Sequence, residues 1–228
     1  MLKNRVHQDL VIFTIGGLLG LVGIYFVIRK KNPVANKAVK LAEDEWKLWG
    51  NQSMNEYGRI TKEGKKEYDQ GFAERVGDYW REALGLNYNG NNRDVAWSSA
   101  FISWLWKKAG AGKDFKYSAS HSNYIYDSVL NRWDNDLKAP FVAYRPYEAV
   151  PEVGDMVSYS RQDQQDLYAT PAPYKSHTDL VVDKGDGYID VIGGNVSQGV
   201  TKRRLRTDSK GFLADTRNKW FAVIKTNI

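Results

Sequence analysis

Apolar residues recur at helical spacing up to about residue 110 and as short strand-like runs beyond residue 150, and this change of period is the strongest constraint on the fold. After Asn32-Pro33, the residues Ala35, Val39, Ala42, Trp46 and Trp49 share one helical face, which Gly50 closes. Phe72, Val76, Tyr79, Trp80 and Leu84 line a second helix, ended by Gly85 and an Asn/Gly-rich loop through Asn92. A third runs from about Trp97 to Ala109 and stops at Gly110. Strand-like runs follow at Asp155 to Tyr159, Thr178 to Asp183, Tyr188 to Ile192 and Trp220 to Lys225, with Lys184-Gly185-Asp186-Gly187 as a hairpin turn. Ser160 to Lys175 reads as a long surface loop. Helices first and strands later predict an α+β domain, its N-terminal helices packed on an antiparallel sheet.

The N-terminal segment has another texture. Leu10 to Ile28 is a run of 19 uncharged residues, interrupted only by Thr14 and Tyr25, close to the ~20 that cross a bilayer. A secretory signal has a shorter apolar core ending at small residues, whereas this run meets Arg29-Lys30-Lys31. The sequence thus predicts a tail over 1–9, a transmembrane helix over 10–28, a basic linker over 29–36 and a folded domain over 37–228. Contact with a lipid bilayer through residues 10–28 is expected. Gly16 and Gly20 form a small-xxx-small pair suited to helix–helix self-association, although glycines are also common in membrane helices for other reasons. The expected placement is a single-pass membrane protein, its domain facing the periplasm or cell wall, or held in a virion membrane. The positive flank after the run, Arg29 to Lys40, outweighs Lys3 and Arg5 and argues instead for a cytoplasmic domain.

Composition narrows the chemistry. A chain of 228 residues has room for one such domain after the N-terminal segment. The absence of cysteine excludes disulfides, thiolate metal sites and a cysteine nucleophile. A net charge of +6 favours acidic partners in general. The basic cluster Lys202 to Arg206 alternates as a solvated strand face does, and base-stacking signatures are missing, so no nucleic acid is expected. His121, His177 and Asp179 are suitable zinc ligands by type, but they lack a metal-binding spacing, and neither metal nor cofactor is expected.

Two segments can carry catalysis. In Asp94 to Trp106 a loop enters a helix with Ser98 in its first turn. A nucleophile there meets the positive end of the helix dipole and unpaired backbone amides; a plain helix cap is the other reading of the same serine. In the second segment, His177 begins one strand and Asn195 ends the next, an arrangement that suits a base and the amide that orients it. Asp179 falls on the same strand face as His177, as an aid to the imidazole or as a solvated carboxylate. His121, after Ser118 and Ser120, is either a second base, a hydrogen-bond donor in the site wall or a structural histidine at a helix start.

The segments AWSSAFISWLWKKAG, PEVGDMVSY, SHTDLVVD and VIGGNVSQGV resemble, in order, motifs of the CHAP amidase/peptidase superfamily: its nucleophile helix, its Pro-x-x-Gly-Asp strand entry, its histidine strand and its Glu-Gly-Asn strand. The chain is especially similar to an uncharacterised relative, the domain of unknown function 2272 family, which shares Trp-Ser-Ala-Ala-Phe-Ile-Ser and an HS-x-YI element, here His121 to Ile125. The resemblance covers roughly Lys37 to the C-terminus. It implies a papain-like fold and a peptidoglycan amidase or endopeptidase, with Ser98 in the nucleophile position, His177 as base and Asn195 as orienting amide. Trp97, His121 and Asp179 become accessory or substrate-binding residues. Two departures stand out: Ser98 replaces a cysteine and Gly193 a glutamate. A serine hydroxyl does not ionise as a thiol does and must lose its proton during attack. The alternative expectation is a non-catalytic wall-binding or structural membrane protein, including one of a bacteriophage virion.

Overall fold

The computed structural model describes residues 32–164 and 166–228. Proline has a fixed φ and no N–H, which suits a first helical position, and Pro33 opens α1 (Pro33–Leu48). That start is tied to the other end of the chain: Asn32 Nδ2 donates to the Thr226 carbonyl at 2.8 Å and Ala35 N–H to that of Ile228 at 3.1 Å. Ala35, Ala38 and Ala42 give α1 a buried face of small residues. The helix can therefore lie so close to Gly154 that a Cβ there would sit 3.0 Å from that of Ala35.

Helix α2 (Phe72–Leu84) is bounded by left-handed Gly71 and Gly85. Helix α3 (Ser98–Ala109) is the core helix, with 10 of its 12 residues buried, because α1 and α2 cover one side and the sheet the other. A 3-10 turn at Gly112–Asp114 leads to α4 (His121–Trp133). Aromatic rings fill the helical layer. Trp97 stacks on Trp49 and Tyr79 at 5.4 and 5.7 Å between centroids, and Trp106 packs edge-on against Phe141 at 4.8 Å.

The strands are β1 (Ser53–Met54), β2 (Ile60–Lys62), β3 (Phe141–Tyr144), β4 (Met156–Ser160), β5 (Ser176–Gly185), β6 (Tyr188–Val196), β7 (Gly199–Arg206) and β8 (Lys219–Thr226). They form one sheet in the order β2-β1-β7-β6-β5-β4-β8-β3. Leu180, Ile192 and Ile224 face the helices, while Val157, Val181, Val191, Leu205 and Val223 build a smaller apolar cluster. Asp155 fastens the start of β4. It accepts from the backbone N–H of Glu152 at 2.8 Å and of Thr226 at 3.0 Å, and it pairs with Lys225.

Two expectations about the fold are corrected. The architecture is mixed α/β, with four α-helices and an eight-stranded sheet among the described residues, and that sheet is not wholly antiparallel. The chain leaves α1 and lays Ser53–Met54 parallel to β7, opposite Lys202 and Arg203; two residues are too short for a periodic signal. The second correction concerns the transmembrane helix and the single-pass membrane localisation. No helix among the described residues is long and apolar enough to cross a membrane, and residues 10–28, with Gly16 and Gly20, lie outside the described residues.

The tightest helix–sheet contact is at Gly194 in β6, where a Cβ would meet Phe101 Cβ at 2.6 Å and the Trp97 ring at 2.7 Å. Gly194→Ala is expected to lower stability by about 1–3 kcal/mol, read as a reduced midpoint of urea unfolding.

Candidate active site

Ser98 is the first residue of α3, preceded by Trp97 at the cap position, and no side chain caps this end. The first helical bond is Phe101 N–H to the Trp97 carbonyl at 3.0 Å, so the amides of Ser98, Ser99 and Ala100 are not used within the helix. The α4 start is held beside it by serines. Ser99 Oγ and Ser103 Oγ both donate to the Ser118 carbonyl, at 2.8 and 3.1 Å, and Ser118 Oγ accepts from Ser120 N–H at 3.0 Å and Asn123 Nδ2 at 2.8 Å. These bonds carry His121, one residue further on, to the end of α3.

The result is a direct pair, Ser98 Oγ to His121 Nε2 at 2.6 Å. Burial, reinforced by His177 and Arg161, holds the His121 imidazole well below its ordinary range. The ring is therefore neutral. Its Nε2 accepts from the Ser98 hydroxyl, while its Nδ1–H donates to Tyr124 Oη, one turn along α4. Burial raises the Tyr124 phenol out of the titrating range, so it remains a hydroxyl. A serine hydroxyl, an imidazole and a phenol are thus joined in one buried hydrogen-bonded chain.

His177 lies beside this pair, its ring centroid 5.2 Å from that of His121, but both of its nitrogens are engaged elsewhere. Arg161 donates to Nδ1 at 2.9 Å, and Nε2–H donates to Asp179 Oδ1 at 3.0 Å. Burial drives the His177 imidazole down to about 4, against the pull of Asp179. Asp179 is itself buried, which opposes its charge, yet Arg203 and His177 outweigh that cost and hold its carboxyl well below the usual carboxylate range. Gly193 makes room for this group, since a Cβ there would stand 1.9 Å from Asp179 Oδ1 and 3.0 Å from His177 Nε2.

Of the residues singled out in the sequence, Ser98, His121, His177 and Asp179 form one buried cluster. Asn195 is half-buried in left-handed backbone, φ 55°, and makes no hydrogen bond to His177. Trp97 is buried and donates its indole N–H to Glu67. Among the described residues no His, Asp and Glu side chains converge as a metal-binding group of three. Sequence reading missed Tyr124, Arg161 and Arg203. Tyr124 had a signal, its i,i+3 spacing from His121; Arg203, on β7 and two strands from Asp179, had no local one.

Ser98 is only 2% exposed and His121 5%. Neither lines the open cleft of about 870 Å³ beside Trp220, nor the cavities of about 280 and 290 Å³.

A family model described as "Uncharacterized protein conserved in bacteria (DUF2272)" matches residues 51–226. No curated protein and no solved structure matches the chain.

The two buried histidines make stability depend on acid in a fixed direction. Both are neutral in the folded protein and take up a proton on unfolding in acid, so their contribution is complete above the ordinary value of 6.5 and is lost as pH falls below it, for His177 toward about 4. Asp179, ionised when folded, continues the same trend below the usual carboxylate range. Urea unfolding at pH 7 and pH 4.5 is expected to show a loss on the order of a few kcal/mol, with a shallower slope in His177→Gln.

Proposed function

The chain belongs to the domain of unknown function 2272 family of bacterial proteins, and from the site geometry and the motif resemblance we propose that it is a serine hydrolase. It cuts an amide or peptide bond of peptidoglycan, with Ser98 as nucleophile and His121 as general base. The observation that carries this reading is the 2.6 Å contact between Ser98 Oγ and His121 Nε2 at a helix N-terminus. A serine needs a neutral base within hydrogen-bond reach, because its hydroxyl does not ionise beforehand. The motif resemblance to papain-like wall amidases supports the substrate class and the descent from that fold.

The steps balance as acyl transfer. Ser98 Oγ attacks the carbonyl carbon while its proton passes to His121 Nε2. The amides of the first turn of α3 are available to the oxyanion. The imidazolium returns its proton to the leaving nitrogen as the C–N bond breaks, and water then cleaves the ester by the same route in reverse. Tyr124 holds the ring in the productive tautomer. His177 and Asp179 flank the base: Asp179 favours the positive charge on His121 electrostatically, while His177 stays neutral.

One observation favours a second reading, a non-catalytic wall binder. With Ser98 at 2% exposure, a carbonyl reaches it only after a covering segment has moved.

Digestion of purified peptidoglycan separates the two. Ser98→Ala is expected to lower fragment release by about 10³-fold or more, and His121→Ala similarly, whereas Ser98→Cys retains part of it. Wild-type protein that co-sediments with wall material and releases nothing overturns the hydrolase reading. Loss in His177→Ala with full activity in His121→Ala overturns the choice of base. The acid limb of the pH–rate profile is expected below the ordinary imidazole value of ~6.5, because burial keeps His121 unprotonated there.

A further inference from the structure

Where the Trp97 indole meets Glu67 lies an open depression of about 290 Å³ lined by Glu67, Tyr68, Gly90, Arg93 and Gln198. Tyr68, Arg93 and Gln198 are exposed at its rim, while its floor is held in place. The Glu67 N–H donates to the Gln198 carbonyl at 2.7 Å, and Gly90 packs so tightly that a Cβ there would lie 2.4 Å from the Glu67 carbonyl oxygen. The Glu67 side chain is fixed as well, since its Oε2 accepts from the Trp97 indole, and that ring is stacked on Trp49 and Tyr79. Trp97 is the residue before Ser98, so the carboxylate is connected to the catalytic helix through one rigid ring.

The second oxygen of Glu67 and the whole guanidinium of Arg93 have no partner among the described residues, and the two groups do not pair with each other. Opposite charges that face one small space without joining are complementary to a ligand that carries both. The volume lies at the lower end of the ~300–1,000 Å³ typical of ligand pockets, room for a small ligand.

We propose that this cavity binds the zwitterionic head of an amino acid, its ammonium on Glu67 and its carboxylate on Arg93, as a substrate subsite linked to Ser98 through Trp97. The ligand class is a peptide with a free zwitterionic end, such as a diamino diacid linked through its other end. The role as a subsite rests on the hydrolase reading above. The binding itself does not.

Trp97 provides the readout, because its indole N–H is bonded to Glu67. Alanine titrated into the nitrogen-15-labelled full chain is expected to shift the Trp97 indole resonance saturably. N-acetylalanine, which lacks the ammonium, and alaninamide, which lacks the carboxylate, are each expected to bind at least about tenfold more weakly. Glu67→Gln keeps an acceptor for the indole and Arg93→Gln changes an exposed side chain, so both variants should fold and both should lose alanine binding by a similar factor. No saturable shift with alanine, or equal shifts with all three compounds, overturns the proposal. No bond is cut in this titration, so its result stands apart from whether Ser98→Ala abolishes wall digestion: either reading can fail while the other survives.

Discussion

A single carboxylate, that of Asp179, sits where three strands meet and answers two charge problems at once. Arg203 on β7 is buried and needs an anion; His177 on β5 is buried and needs an acceptor for its Nε2–H. Breaking such a buried pair by removing one partner typically costs about 3–5 kcal/mol, since the remaining charge is left unsolvated. Asp179 also fills the space left open by Gly193 on β6. Ion pair, hydrogen bond and close packing therefore meet at one side chain.

The Ser98–His121 pair lies in the field of this arrangement. His177, 5.2 Å from His121 between centroids, and Arg161 oppose a charge on the His121 ring, while Asp179 favours one. A proton gained by His121 from Ser98 would meet the anionic Asp179 nearby and the phenol of Tyr124 at its other nitrogen. The two histidines thus divide the work. One is locked at both nitrogens as part of the frame, and the other keeps one nitrogen for the serine.

Much of this frame was legible in the sequence, for identifiable reasons. The three first helices carry long apolar faces and end at glycines that adopt left-handed backbone, Gly50, Gly85 and Gly110. The central strands are runs of β-branched residues. The short strands β1 and β2 carry too few residues for any period, and β1, just after α1, lies parallel to β7, a partner about 150 residues further along the chain. Ser98 was placed in the first turn of its helix from local pattern alone. The choice between His121 and His177 was not local. It depends on Arg161 reaching Nδ1 of His177 from the long loop, on Asp179 taking Nε2, and on the serine bonds that swing α4 toward α3. Contacts between residues so distant in sequence leave no periodic trace. The basic alternation of β7, read as a solvated face, conceals Arg203 for the same reason: its charge is paid for by a carboxylate two strands away.

Positions 179 and 193 hold one volume between them. Any side chain at 193 must take the space that the Asp179 carboxylate occupies, and any loss of that carboxylate leaves a hole beside a bare guanidinium. Neither position is free to vary by itself. A lineage that moves the acid from one strand to the other must change both residues, and because the intermediate has either two groups in the space or none, the two alternatives are separated by a step that selection would rarely tolerate. Among sequences of this fold, an acid at 179 should therefore travel with glycine at 193 as one inherited unit.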